Sequence, residues 1–119
     1  MKRILIIDDE ENIRELLYVN LVSEEKEVET AVTGEEGLEK MAAFRPEIII
    51  VDGRLPGIDG WEVCRRIRKS PAGINIKVIF LTASAQKTQR ESALAAGADY
   101  FVSKPFDPAE ISDIIMKLE

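Results

Sequence analysis

Polar residues that could do chemistry stand where short apolar runs end. Asp8 and Asp9 follow Ile4-Leu5-Ile6-Ile7, and Asp52 follows Ile48-Ile49-Ile50-Val51. Thr82 follows Val78-Ile79-Phe80-Leu81, and Ser103-Lys104 follow Tyr100-Phe101-Val102. If these runs are strands of one parallel sheet, all of these residues share the edge at which such sheets bind ligands. Three carboxylates brought together there repel one another and raise at least one pKa unless a cation sits among them. The sequence has no His and a single Cys, which excludes imidazole ligands, His-based acid/base catalysis and a His phosphocarrier. The donor set that remains is all oxygen, and the ion it suits best is Mg²⁺, held by a few carboxylates and water. A hard cation beside a carboxylate, a lysine and a threonine is arranged for phosphoryl transfer, in which metal and ammonium neutralise charge on the equatorial oxygens. Carboxylates are known covalent acceptors. Asp52, alone at the end of the run expected at the centre of the sheet, is nominated as acceptor, with Asp8 and Asp9 as the metal pair.

The elements that must position these residues are legible as an alternation. Five apolar runs, with Val28 to Val32 as the second, read as strands. The unbroken first, third and fourth runs imply burial on both faces, as in a parallel sheet covered by helices. Between them, Ile13, Leu16, Leu17 and Leu21 recur at helical spacing. Leu38, Met41 and Ala42 do the same after the capping-box pattern Thr33-x-x-Glu36, and Val63, Cys64 and Ile67 carry a third stripe. A fourth, Ala-rich helix runs from about Gln86 to Ala96 and is stopped by Gly97. Asp107-Pro108-Ala109-Glu110 places a cap, a first-turn proline and a capping glutamate before a fifth helix carrying Ile111, Ile114, Ile115 and Leu118. Strict βα alternation implies right-handed crossovers and a doubly wound α/β fold with five flanking helices.

Length and composition agree with one domain over residues 1–119: 45% of residues are hydrophobic and 32% charged, unlike a disordered chain. No apolar run is long enough to span a bilayer, and the N-terminus is too short in apolar residues for a signal peptide. Cys64 therefore reads as a reduced thiol packed in the core, and the expected location is cytoplasmic. A net charge of −6 argues against direct contact with nucleic acid. The basic run Arg65-Arg66-Ile67-Arg68-Lys69 reads as a solvated helix face, and Trp61 as a half-buried helix residue.

Five motifs in order, Ile6-Ile7-Asp8-Asp9-Glu10, Val51-Asp52 with Leu55-Pro56 and Asp59-Gly60, Leu81-Thr82-Ala83, Gly97-Ala98-Asp99, and Lys104-Pro105-Phe106, resemble a response-regulator receiver domain from end to end. The resemblance implies a flavodoxin-like sheet of strand order 2-1-3-4-5. It implies Asp52 as phosphoacceptor, and Asp8, Asp9, Asp52 and the backbone carbonyl of Arg54 as Mg²⁺ ligands. Lys104 would pair with Asp52 and then with the phosphoryl oxygens, Thr82 would swing its hydroxyl toward them, and Phe101 would fill the switch-aromatic position. Lys104-Pro105 is expected to be cis. The implied partners are a sensor histidine kinase or His-phosphotransfer protein, and an effector on the surface of helix 4, strand 5 and helix 5.

The implied assembly is a monomer or a weak, phosphorylation-dependent dimer; the chain would catalyse only its own phosphorylation and dephosphorylation. Where the chain departs from the family pattern, Phe101 replaces the common Tyr, helix 5 lacks the basic residues of one dimer mode, and Gly53 is expected to open the site beside Asp52. Two other classes share this sheet edge. A binding module that takes no phosphate is opposed by the presence of all five polar site residues. A flavin carrier or an aspartate-nucleophile phosphatase is opposed by the absence of a phosphate-cradling glycine loop after strand 1 and of an Asp-x-Asp motif.

Overall fold

A computed structural model describes residues 2–83 and 86–118. The chain alternates strictly: β1 (Lys2–Ile7), α1 (Glu11–Leu21), β2 (Lys26–Ala31), α2 (Gly34–Phe44), β3 (Ile48–Asp52), α3 (Gly60–Lys69), β4 (Lys77–Thr82), α4 (Lys87–Ala96), β5 (Tyr100–Ser103) and α5 (Pro108–Lys117). The five strands form one parallel sheet in the order β2-β1-β3-β4-β5, as the resemblance implied.

Successive residues of a strand point to opposite faces, and the unbroken apolar runs use both. Leu5, Ile7, Ile49, Val51, Val78 and Phe80 bury one face against Met41 and Phe44 of α2, Val63, Cys64 and Ile67 of α3, and Ala93 and Ala96 of α4. Ile4, Ile6, Ile48, Ile50, Ile79 and Leu81 bury the other against Leu17 and Leu21 of α1 and Ile111 and Ile115 of α5. Truncating any of the Leu, Ile, Met or Phe side chains among these to alanine removes contacts that close-packed cores cannot recover, at about 2–5 kcal/mol.

Local signals behave largely as the sequence predicts. In α5 the Asp107 carboxylate accepts from Ala109 N at 2.9 Å and Glu110 Oε1 accepts from Asp107 N at 3.2 Å. Gly97 ends α4 with φ 118°, in the left-handed region. At α2 the expected box is displaced: Thr33 Oγ1 accepts from Glu36 N at 3.0 Å, but Glu36 Oε1 reaches back to Val32 N at 2.6 Å and not to Thr33.

Three expectations need correction. The second strand begins at Lys26 rather than Val28, because pairing with β1 (Lys2↔Lys26) defines this edge strand more than burial does. Arg68 is not solvated with the rest of its basic run. Its guanidinium donates to Gly97 O (2.9 Å), Gly73 O (3.1 Å) and Ile76 O (2.6 Å) and pairs with Asp99 Oδ2 (2.7 Å), tying the end of α3 to the α4–β5 turn. Gly53 opens nothing: it is buried, and a Cβ there would meet Phe80 and Trp61 ring atoms at 3.0 Å.

Candidate functional site

Register sets the site. Ile7 pairs with Val51 across β1 and β3, so Asp8 and Asp52, each one residue on, lie level at the point where strand order reverses. Asp52 pairs with Leu81, so Thr82 is one step further along β4, and Thr82 pairs with Ser103, which delivers Lys104. The backbone keeps these ends in place: Asp8 N donates to Ala31 O (3.1 Å), Gly53 N to Leu81 O (2.8 Å) and Lys104 N to Thr82 O (2.6 Å). The Lys104-Pro105 peptide is cis.

The side chains converge around one ammonium. Lys104 Nζ lies 2.8 Å from Asp52 Oδ2, 3.3 Å from Asp8 Oδ2 and 3.8 Å from Glu10 Oε1. The second oxygen of each aspartate is taken by the amide two residues on: Glu10 N donates to Asp8 Oδ1 at 2.9 Å and Arg54 N to Asp52 Oδ1 at 3.2 Å. Both carboxylates are therefore fixed at both ends, and each turn that follows them begins with its own aspartate's hydrogen bond. Asp8, Asp52 and Thr82 are buried, whereas Asp9, Glu10 and Arg54 are exposed.

Burial pushes the Asp8 carboxyl up from 3.8 to about 6; the Glu10 N–H opposes this, the Asp52 charge adds to it, and Lys104 opposes it. Mutual repulsion, the cause expected from the sequence, is thus the smaller one, and desolvation the larger. Burial works to lower the Lys104 ammonium's pKa, but its hydrogen bond to Asp52 and the charges of Asp52 and Asp8 prevail and raise it.

Asp8, Asp9, Glu10 and Asp52 each offer a carboxylate oxygen within 4.8 Å of the others. With only oxygen donors and a surplus of negative charge, this set fits a small hard cation such as Mg²⁺. Glu10 was not among the ligands named from sequence; its signal was the acidic run Asp8-Asp9-Glu10 itself, whose third member turns back toward Lys104. Arg14, also unforeseen, donates from Nη1 to the Asp8 carbonyl at 2.9 Å from one turn into α1. Phe101 is half-buried, its ring stacked on Phe80 with centroids 6.3 Å apart.

Residues 4–116 match the family model of the response regulator receiver domain. The chain belongs to the response-regulator receiver family. It is 38% identical over 111 residues to the phosphate regulon transcriptional regulatory protein PhoB of Rhizobium meliloti, covering 93% of this chain and 49% of that protein. It is 39% identical over 111 residues to the alkaline phosphatase synthesis transcriptional regulatory protein PhoP of Bacillus subtilis, covering 93% and 45%. The chain thus spans about half the length of these curated relatives. Among solved structures, it superposes on the chemotaxis protein CheY4 of Vibrio cholerae with TM-score 0.93 at 28% identity, covering 100% of this chain and 99% of that one. A CheY-like receiver domain protein of Methanospirillum hungatei gives TM-score 0.89 at 33% identity, covering 99% and 93%. The receiver fold and a place in two-component signalling follow from this membership.

Proposed function

We propose that this receiver is a phosphoacceptor switch in which Asp52 takes a phosphoryl group from a phosphohistidine of a sensor kinase or a His-phosphotransfer protein. The observation that carries it is the Lys104 ammonium, 2.8 Å from the Asp52 carboxylate and also beside Asp8 at a buried sheet edge. An Asp52 oxygen attacks phosphorus, the P–N bond to the imidazole breaks, and its electron pair stays on the ring nitrogen. The product is an acyl phosphate on Asp52. Lys104 is placed to follow the negative charge from the carboxylate to the phosphoryl oxygens, and the Arg54 N–H orients the carboxylate before attack. Asp8, Asp9, Asp52 and the Arg54 carbonyl would hold Mg²⁺, with Glu10 near enough to join them. When bound, the ion supplies charge neutralisation for the transferring group.

The domain turns over no separate substrate in this reading, since the acyl phosphate stays on the chain that made it. The Thr82 hydroxyl, drawn toward the new phosphoryl oxygens, and the Phe101 ring on the neighbouring strand change the α4–β5–α5 surface, where an effector docks. The rings of Phe101 and Phe80 communicate by packing alone, since Phe101 carries no hydroxyl. A cytoplasmic location, little or no dimerisation before phosphorylation, and no direct contact with nucleic acid at net charge −6 complete the reading. Among the described residues no helix is long and apolar enough to cross a membrane.

The test is labelling by acetyl phosphate. Wild type should label with one phosphoryl group per chain only when Mg²⁺ is present, and Asp52→Asn should not label at all. Stoichiometric labelling of Asp52→Asn would remove Asp52 as acceptor.

A further inference from the structure

Trp61, the second residue of α3, is not used by the chemistry above, yet its ring lies against Gly53, the residue that follows the acceptor. Gly60 N donates to Gly53 O at 3.0 Å. A Cβ on Gly60 would lie 2.3 Å from the Asp52 carbonyl oxygen and 2.7 Å from Gly53 Cα, so only glycine lets the first turn of α3 sit on the Asp52–Gly53 peptide. The indole then covers the next residue. A Cβ on Gly53 would meet Trp61 Cη2 and Phe80 Cζ, each at 3.0 Å, so the Trp61 and Phe80 rings occupy the volume that a side chain at 53 would need. Trp61 and Phe80 meet with centroids 4.8 Å apart at 58°, and Phe80 stacks on Phe101, which makes a row of three rings from α3 to β5.

The indole Nε1 gives an independent sign that position 61 is held for a reason other than polarity. It is buried without a hydrogen-bond partner among the described residues. An unpaired buried donor is costly, so the ring's contacts must outweigh it. What those contacts close is the loop from Gly53 to Asp59. That loop leaves the acceptor strand at Gly53 and returns to it at Gly60, and it carries Arg54, whose N–H fixes Asp52 Oδ1 at 3.2 Å. Leu55 and Ile58 of the same loop pack on the apolar face that Trp61 joins.

We propose that Trp61 is a positioning residue for phosphoryl transfer: by wedging against Gly53 and Phe80 it clamps the Gly53–Asp59 loop, and so sets where Arg54 presents its N–H to Asp52 and its carbonyl to the cation. The proposal rests on Asp52 being the acceptor. A residue that merely filled the core would lower stability when truncated and leave the cation requirement of the reaction unchanged. A positioning residue moves that requirement, because a displaced carbonyl binds the ion less well while a saturating ion restores the reaction.

Two measurements on wild type, Trp61→Ala and Trp61→Phe decide it. The first is amide exchange at Gly53, Arg54 and Gly60 in the metal-free protein, which involves no phosphoryl chemistry. Trp61→Ala should lose protection at Arg54 and Gly60, and Trp61→Phe, which keeps a ring on Phe80 without the orphaned N–H, should restore it. The second is the Mg²⁺ concentration giving half-maximal labelling by acetyl phosphate, which should rise about tenfold in Trp61→Ala and return to within about twofold of wild type in Trp61→Phe.

Trp61 is the sole tryptophan, so its emission should change on adding Mg²⁺ to wild type. Unchanged Arg54 protection together with an unchanged Mg²⁺ requirement in Trp61→Ala would overturn the proposal. If Trp61→Ala does not fold, Gly53→Ala, which presses on the same ring from the loop side, is held to the same two outcomes. Failure of wild type to label would remove the acceptor reading instead, and the exchange measurement would still decide whether Trp61 clamps the loop.

Discussion

Replacing Asp8 with asparagine should stabilise the metal-free domain, and only above a definable pH. Asp8 has no exposed surface, and its carboxyl is pushed from 3.8 to about 6, chiefly by burial. The folded state therefore holds this proton more tightly than the unfolded chain does. Ionising Asp8 costs stability progressively between pH about 4 and about 6, and the whole cost is present above that window. At about 1.4 kcal/mol per pKa unit the penalty is about 1 kcal/mol near pH 4.5 and about 3 kcal/mol near pH 7.5. Asparagine keeps an oxygen for the Glu10 N–H, and the 3.3 Å pairing with Lys104 is already counted in the shift, where its charge and hydrogen bond oppose burial. Urea melts in a chelator should thus show a gain of about 1 kcal/mol around pH 4.5 and about 3 kcal/mol around pH 7.5. Adding Mg²⁺ should erase the gain by stabilising wild type alone. A gain of the same size at both pH values would refute the argument, because it would show that charge on Asp8 is not its source.

Arg68→Ala should lose about 2–3 kcal/mol in urea melts, since it strands three backbone carbonyls and Asp99; a loss below about 0.5 kcal/mol would class Arg68 with the ordinary surface arginines of its run. Lys104→Met should remove a contribution that is intact below the usual lysine pKa of 10.5 and fades as pH climbs through the raised value in the fold. Wild type should accordingly lose more stability than Lys104→Met as pH rises above 10.5, and parallel curves would argue against the assignment. Thr82→Ala should still label with acetyl phosphate yet fail to change amide exchange in α4, β5 and α5; identical exchange changes in wild type and variant would sever Thr82 from the switch.

How much of this could be read from the chain depends on what each residue's signal competes with. β1, β3 and β4 were legible because central strands of a covered parallel sheet are apolar on both faces, and runs this short fit a strand better than a helix. The edge strand β2, Lys-Glu-Val-Glu-Thr-Ala, buries only Val28 and Ala31, so apolarity found its middle and missed its start. The site was legible as a set of strand ends, which supplied Asp8, Asp9, Asp52, Thr82 and Lys104 without any distance. What it could not supply was the division of labour between two neighbouring acids, one wholly buried and one exposed, since adjacent aspartates look alike in sequence. Arg68 was hidden by its company in a basic run. Its helical spacing from Cys64, four residues back on the buried stripe, was the available signal. The role of Gly53 was invisible for a different reason: a missing side chain says that space is needed, not which neighbour needs it.

The contact between Asp8 and Lys104 joins positions 96 residues apart, and a ribosome delivers them in that order. A nascent chain that has released β1 to β3 can already align Asp8 beside Asp52, but the ammonium that neutralises them has not yet been made. Until β5 is in place, those two carboxylates share the sheet edge with no ammonium between them. The charges that ready the site for a cation are thus balanced from within the chain only once the strand that delivers Lys104 is in place.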